Sequence, residues 1–234
     1  MKILVTGASR GIGYDTALQL AHTREHQLLA LGRSEEKLAA LAAKVREKYG
    51  DGILDVLIYD LTDADPSHLK IALQKLGGLD VLINNAGLLI NKPFDQLTLS
   101  DWHHSFHVNL FAVVNMVRIA LPYLSAADAA HIVNIGSMGG FQGSSKFVGL
   151  SAYSAAKAAL ANLTECLAEE FKDRNIAVNC LSLGAVQTEM LTAAFPGYRA
   201  PVSSTEMGAW VAWFAVNGQR YFNGKILPVS ISTP

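Results

Sequence analysis

"KILVTGASRGIGYDTALQLAH", residues Lys2–His22, decides the architecture. Ile3, Leu4 and Val5 make a short apolar run, the signature of a strand covered on both faces. Gly7, Gly11 and Gly13 then crowd into a turn, and from Gly13 to Ala21 the pattern is helical. A helix N-terminus presents unpaired N–H groups and a partial positive charge, so a turn of this kind suits a phosphate. Glycines let the backbone approach a pyrophosphate and let the helix pack tightly on the strand. The spacing is G-x-x-x-G-x-G rather than the common G-x-G-x-x-G dinucleotide fingerprint.

Outward from this unit the alternation continues. Ile3–Val5, Leu28–Leu31, Leu54–Ile58, Val81–Ile83, Ile132–Ile135, Ala177–Leu181 and Ile226–Val229 read as buried parallel strands. Helical patterns lie between them at Gly13–Ala21, Ser34–Lys48, Ser67–Leu76, Asp101–Leu124, Ala152–Lys172 and Thr205–Val216. Ser34, followed by Glu35 and Glu36, is an N-cap with acids in the first turn, and Ser100 with Asp101 reads the same way. With no repeat and no Pro/Gly-rich linker, residues 1–234 are expected to form one domain. Its fold class is α/β, a Rossmann-type doubly wound parallel sheet of about seven strands with helices on both faces. The stretch Thr188–Ser204 is the least regular and reads as an apolar loop.

Composition narrows the partners. Of the 234 residues, 50% are hydrophobic and 17% charged, and the net charge is −1. No field is present to draw in nucleic acid or an anionic membrane, and no apolar stretch of membrane-spanning length runs without interruption. The two cysteines, Cys166 and Cys180, match no metal-ligand spacing and read as buried reduced thiols, so no metal and a cytoplasmic location are expected.

The end of the second strand reads Leu31-Gly32-Arg33-Ser34, without the acid that would bond a ribose 2′-OH. Arg33 stands where a 2′-phosphate would arrive, and Arg10 in the glycine turn is a second cation. Two guanidinium groups suit a phosphate dianion, so the pair points to NADP(H), with NAD(H) less favoured. Asp60, ending the third strand, could accept from an adenine amino group or serve as a turn residue in "YDLTDAD".

"YSAAK" places Tyr153 and Lys157 at i and i+4 on one helix face. A free phenol titrates near 10, and a neighbouring ammonium lowers it toward useful acid–base catalysis. Ser137 ends the fifth strand, at the carboxyl edge where ligands bind open α/β sheets. Asn109 lies among apolar neighbours within the long fourth helix, where its amide must find partners, either water, a strained helical carbonyl or a neighbouring helix.

Together these motifs resemble the short-chain dehydrogenase/reductase family over essentially the whole chain. "TGASRGIG" is similar to the family's T-G-x-x-x-G-x-G, "NNAG" at Asn84–Gly87 to its motif after the fourth strand, and Asn109 to its fourth-helix asparagine. Ser137, Tyr153 and Lys157 resemble its serine and its Y-x-x-x-K, and "VNCLSLGAVQTEM" its segment after the sixth strand. The resemblance implies NADPH-dependent reduction of a ketone or aldehyde to an alcohol, or the reverse. Tyr153 would be the proton donor, Ser137 a donor to the same oxygen, Lys157 the residue that depresses the tyrosine and bonds the nicotinamide ribose, and Asn109 the holder of a relay water. Cofactor contacts are implied at Gly7, Ser9, Arg10, Gly11, Ile12, Gly13, Arg33, Asp60, Leu61, Asn85, Ala86, Gly87, Tyr153, Lys157, Gly184, Val186 and Thr188. A homodimer or homotetramer is also implied: Ala155, Ala156, Ala158, Ala159, Leu160 and Leu163 make more than one face of the Tyr153 helix small or apolar, one to cover the sheet and the remainder available for subunit contact.

Two departures stand out. Leu183 replaces the family's proline before Gly184, and "SMGGFQGSSKFVGLSAY" is a few residues longer than in most relatives, making Ser144, Ser145 and Ser151 rivals of Ser137. The expected substrate walls are Leu88–Phe94, Met138–Leu150 and Glu189–Pro201. Phe141, Phe147, Met190, Leu191, Phe195 and Tyr198 suit a partly apolar carbonyl compound, while Lys146 and Arg199 could each meet an anion. A 3-oxoacyl carrier-protein reductase is the alternative, although "LPYLSAADAAH" is poor in the basic residues that would dock an acidic carrier. A non-catalytic NADPH-sensing regulator is a third reading, and it leaves Asn109, Ser137, Tyr153 and Lys157 without a purpose.

Overall fold

The computed structural model describes every residue except 64, 125, 128 and 232–234. Residues 125 and 128 fall in the segment read as poor in basic residues, so that part of the reading lies outside the described residues.

Seven strands form one parallel sheet: β1 (Lys2–Thr6), β2 (Gln27–Gly32), β3 (Leu54–Ile58), β4 (Val81–Asn84), β5 (Ala130–Ser137), β6 (Ile176–Leu183) and β9 (Ile226–Val229), in the order β3-β2-β1-β4-β5-β6-β9. Every strand expected from sequence is present. The register sets Val5 beside Ala30 and Ile83, and Ser137 beside Leu183. From β1 the chain winds outward through β2 and β3, then returns to β1's other side with β4. The gap between β1 and β4 is therefore the point where strand order reverses, and ligands in such sheets bind beyond the carboxyl ends there.

Helices cover both faces. One apolar cluster joins β1, β2 and β5 to α1 (Gly11–His22), α2 (Glu35–Tyr49) and α8 (Ser204–Asn217), with Ala17, Leu20, Leu38, Leu41 and Phe214 buried. The opposite cluster joins the sheet to α3 (Ser67–Leu76), α5 (Ala112–Leu124) and α6 (Ser151–Glu170). In α2 the buried Leu38, Leu41 and Val45 make one stripe, the pattern of a helix lying on a sheet. A fully buried leucine of this kind contributes about 2 kcal/mol.

Start signals account for the helix boundaries. Ser34 accepts from Lys37 N–H to cap α2. The cap of α4 (Leu99–Phe106) is Thr98, not Ser100 as the spacing suggests: Thr98 and Asp101 form a capping box, so the helix begins earlier. α4, a π-helical turn at His107–Phe111 and α5 make one rod, Leu99–Leu124. By length and composition that rod could cross a bilayer, a span not apparent in the sequence. Val113, Met116, Val117, Ala120 and Leu124 are buried against the sheet, which accounts for its apolar character.

The stretch 188–204 is more regular than expected. β7 (Val186–Gln187) pairs in parallel with β8 (Val202–Ser203), and α7 (Glu189–Ala194) lies between them, capped by Thr188. Cys180 is buried, whereas Cys166 is exposed on α6, contrary to the reading of both as buried thiols.

Candidate active site

One cavity of about 920 Å3 runs along the carboxyl edge of the sheet, from the ends of β2 and β3 past the β1/β4 gap to α7. Its walls include every sequence-assigned site residue except Gly13 and Asn109.

At one end lies the glycine turn. α1 has no side-chain cap: Arg10 occupies the N-cap position without bonding the helix, so the first-turn N–H groups are left open toward the cavity. Gly13 acts through packing, since a Cβ there would lie 2.3 Å from Asn85 Nδ2 and 2.5 Å from Gly7 O. Asn85 in turn donates to Thr6 O and Gly7 O at 3.0 and 3.2 Å, while Thr6 Oγ1 accepts from the N–H groups of Asn85 and Ala86. The motif after β4 thus braces the turn after β1.

Charges cluster on the rim. Arg33 lies 3.8 Å from Asp60, whose Oδ1 accepts from Thr62 N–H and Oγ1 at 2.9 and 2.7 Å. Partial desolvation opposes ionisation of Asp60, yet the Thr62 bonds and Arg33 hold its carboxyl below the usual range. Asp60 is therefore a turn residue that also lines the cavity. Arg10 donates to Glu189 at 2.8 Å, and Lys37 reaches the same carboxylate at 3.3 Å. Lys37 and Glu189 are not apparent as site residues from sequence; the available signal is that Lys37 lies in the first turn of α2, just beyond Arg33.

At the centre stand Ser137, Tyr153 and Lys157. Ser137 ends β5, and its Oγ accepts from Gly139 N–H at 3.1 Å. Its hydroxyl also hydrogen-bonds Tyr153. Burial pushes the Tyr153 phenol above its ordinary value, and the Ser137 bond pulls it back only in part. Lys157 is buried with Nζ donating to Ile135 O at 2.8 Å and lying 5.9 Å from the Tyr153 ring centre. Desolvation lowers Lys157 to about 8. The expected depression of Tyr153 by Lys157 is not seen: burial raises the phenol, and Ser137 alone acts to lower it.

The rival serines separate by position. Ser144 is buried and spent on Met138 O and Phe141 O, Ser145 is exposed, and Ser151 Oγ is buried without a partner at the start of α6; none lines the cavity.

Asn109, fully buried in the π-helical turn, donates to Leu88 O at 2.8 Å and Ser105 O at 2.9 Å, and accepts from Leu88 N–H at 3.1 Å. Both amide hydrogens go to backbone, so the side chain clamps the chain after β4 and has only an Oδ1 lone pair left for a water. It remains close to Lys157: a Cβ on Gly87 would lie 3.1 Å from Asn109 Oδ1 and 3.6 Å from Lys157 Nζ.

α6 holds this group in place through a buried chain of side-chain bonds. Asn84 donates to Asn134, Asn134 to Thr164 Oγ1, and Thr164 to Leu160 O, each at 2.9 Å. Leu183, standing where the family has proline, extends β6 beside Ser137 and Val229, and Gly184 N–H donates to Val229 O.

The far end is apolar. Leu88, Leu89, Phe147, Leu150, Met190, Leu191, Phe195 and Tyr198 line it. Phe141, Lys146 and Arg199 do not; Lys146 instead donates to Phe141 O and Ser144 Oγ.

Comparison with known proteins identifies the family. A 3-oxoacyl-(acyl-carrier-protein) reductase FabG of Staphylococcus aureus strain Mu50 is 29% identical over 97% of this chain and 95% of its own. The FabG of Aquifex aeolicus is 34% identical over 80% of this chain and 74% of its own. A crystal structure of a short-chain dehydrogenase from Escherichia coli CFT073, complexed with NADPH, superposes with a TM-score of 0.86 at 29% identity, covering 97% of this chain and 95% of that one. The family model described as short chain dehydrogenase matches residues 1–199. With its parallel sheet and the glycine turn at the switch point, the chain belongs to the short-chain dehydrogenase family of oxidoreductases.

Proposed function

We propose that the protein is an NADPH-dependent oxidoreductase that interconverts a partly apolar ketone or aldehyde and its alcohol. The observation that carries this reading is the convergence of Ser137, Tyr153 and Lys157 midway along a cavity with cations at one end and apolar residues at the other.

The residues present fit the cofactor. The uncapped start of α1 suits the pyrophosphate, with Gly7, Ser9, Gly11 and Ile12 supplying bare backbone. Arg10 and Arg33 suit the 2′-phosphate, Asp60 and Leu61 flank the adenine, and Asn85, Ala86, Gly87, Gly184, Val186 and Thr188 border the nicotinamide half. The relative from Escherichia coli, of similar structure, was crystallised with NADPH. When bound, NADPH supplies the hydride.

The chain supplies the rest. Tyr153 donates its proton to the substrate oxygen as charge grows there, and Ser137 donates a hydrogen bond to the same oxygen. Burial keeps the Tyr153 phenol protonated, the form the reduction needs. The Lys157 ammonium stabilises negative charge left on the phenolate, and its neighbourhood with Asn109 across Gly87 gives the proton a route for replacement.

One domain, 1–234, would serve both cofactor and substrate, with residues 188–204 forming the substrate segment. The outward side of α6, with Ala158 exposed, and the exposed Phe111 suit a homodimer or homotetramer. Free Cys166 and Cys180 suit a cytoplasmic location.

A carrier-linked 3-oxoacyl thioester is the second substrate reading, favoured by relatives named 3-oxoacyl-(acyl-carrier-protein) reductase. Absorbance-followed NADPH oxidation across ketones, aldehydes, quinones and 3-oxoacyl thioesters tests both. Turnover is expected with apolar carbonyls; turnover confined to thioesters selects the second reading. NADPH binding with no turnover across the panel would leave either a narrow substrate outside it or the sensor reading.

A further inference from the structure

Three cations and two carboxylates share the rim where the glycine turn, the end of β2 and the start of α7 meet. Arg33 is loosely paired, since the nearer oxygen of Asp60 is 3.8 Å away and the other is engaged by Thr62. Arg10 and Lys37 are both held by Glu189, the first residue of α7. That carboxylate bridges three elements: the glycine turn, the first turn of α2, and the helix whose Met190 and Leu191 line the apolar end of the cavity. The three side chains are 51%, 45% and 56% exposed, so water screens both pairs and neither is locked by burial.

We infer that Glu189 is a built-in counter-ion seated in the 2′-phosphate site, and that Lys37 is the third cation of that site alongside Arg10 and Arg33. The inference rests on the NADPH reading and deepens it. A phosphate monoester carries nearly two charges at neutral pH and three acceptor oxygens, so it outcompetes one carboxylate for the same donors. A ribose 2′-OH has no charge with which to do so. Lys37 therefore favours the phosphorylated cofactor, and Glu189 opposes it until it is displaced. Displacement also unties the start of α7, so the 2′-phosphate is felt at the substrate wall.

The test is the dissociation constants of NADPH and NADH, by fluorescence titration, for the wild type and for Arg33→Asp, Lys37→Gln and Glu189→Gln. All three positions are solvent-exposed, so the variants are expected to fold. Lys37→Gln is expected to weaken NADPH about fivefold and Glu189→Gln to tighten it about threefold, with NADH unmoved, from the strength of screened ion pairs. Arg33→Asp reports on the cofactor reading itself and is expected to weaken NADPH selectively. If it does so while Lys37→Gln and Glu189→Gln change neither cofactor, or both in parallel, the inference is overturned and the cofactor reading stands. A wild type that binds the two cofactors equally overturns both.

Discussion

Lys157 and Tyr153 show what spacing tells and what it omits. Their i, i+4 separation is legible in "YSAAK", and with it the shared helix face. Their desolvation is not, because it depends on β5, Gly87 and Gly140 closing on Lys157 from distant sequence. Burial lowers Lys157 to about 8 and pushes Tyr153 up, so the pair does not titrate as the spacing alone suggests. The ammonium, ordinarily kept to pH 10.5, is lost here as pH rises through about 8, and its support for a developing phenolate goes with it. Carbonyl reduction is therefore expected to be flat at neutral pH and to fall above about 8, read as kcat/KM against pH. An undiminished rate at pH 9.5 would show that the charge on Lys157 is not needed. Asn109 teaches the same lesson: sequence marks it as a polar group in an apolar helix, but only the fold shows that Leu88 and Ser105 take both its amide hydrogens.

At the level of elements, β5 carries a further buried titratable group. His131 lies under α8, its Nδ1 against Ala215 O and its Nε2 against Asn179 Nδ2, each at 3.0 Å. A carbonyl on one side and an amide N–H on the other fit the neutral ring with its proton on Nδ1. Burial accordingly lowers its pKa from 6.5 to about 4. The unfolded chain binds the proton more readily, so this contribution is complete above pH 6.5 and is lost as pH falls toward 4, roughly 3 kcal/mol in all. Urea midpoints at pH 7.5 and 4.5 check this. His131→Gln, although less stable overall, is expected to show a smaller drop between the two pH values, and an identical drop would sink the assignment. The sheet strands, although the edge strands β3 and β9 are only partly covered, were legible because parallel strands are nearly continuous apolar runs. β7 and β8 were not, since strands of two residues carry no period, and α7 was hidden for the same reason. Thr98 is not distinguishable as the cap in the sequence because Ser100 and Asp101 give an equally good local signal, and only the bonds of the capping box separate them.

Across the whole molecule, topology joins the two halves of the cavity. Reversal of strand order between β1 and β4 opens the carboxyl edge, so that the glycine turn, the Asn85–Gly87 bend and the end of β5 face one space. That convergence was foreseeable from the alternation of strand and helix. The apolar wall was largely legible: Phe147, Met190, Leu191, Phe195 and Tyr198 line the cavity, whereas Phe141 does not, and Lys146 donates to the Phe141 carbonyl within its own loop. The central claim is that this space performs proton donation from Tyr153 during reduction of a carbonyl. It is tested most directly by comparing NADPH oxidation by the wild type and Tyr153→Phe on the best carbonyl substrate, with NADPH affinity measured in parallel. The account predicts a loss of about 100-fold or more in turnover, the scale of a removed general acid, with cofactor affinity nearly unchanged. A Tyr153→Phe protein that still turns over at the wild-type rate would contradict it.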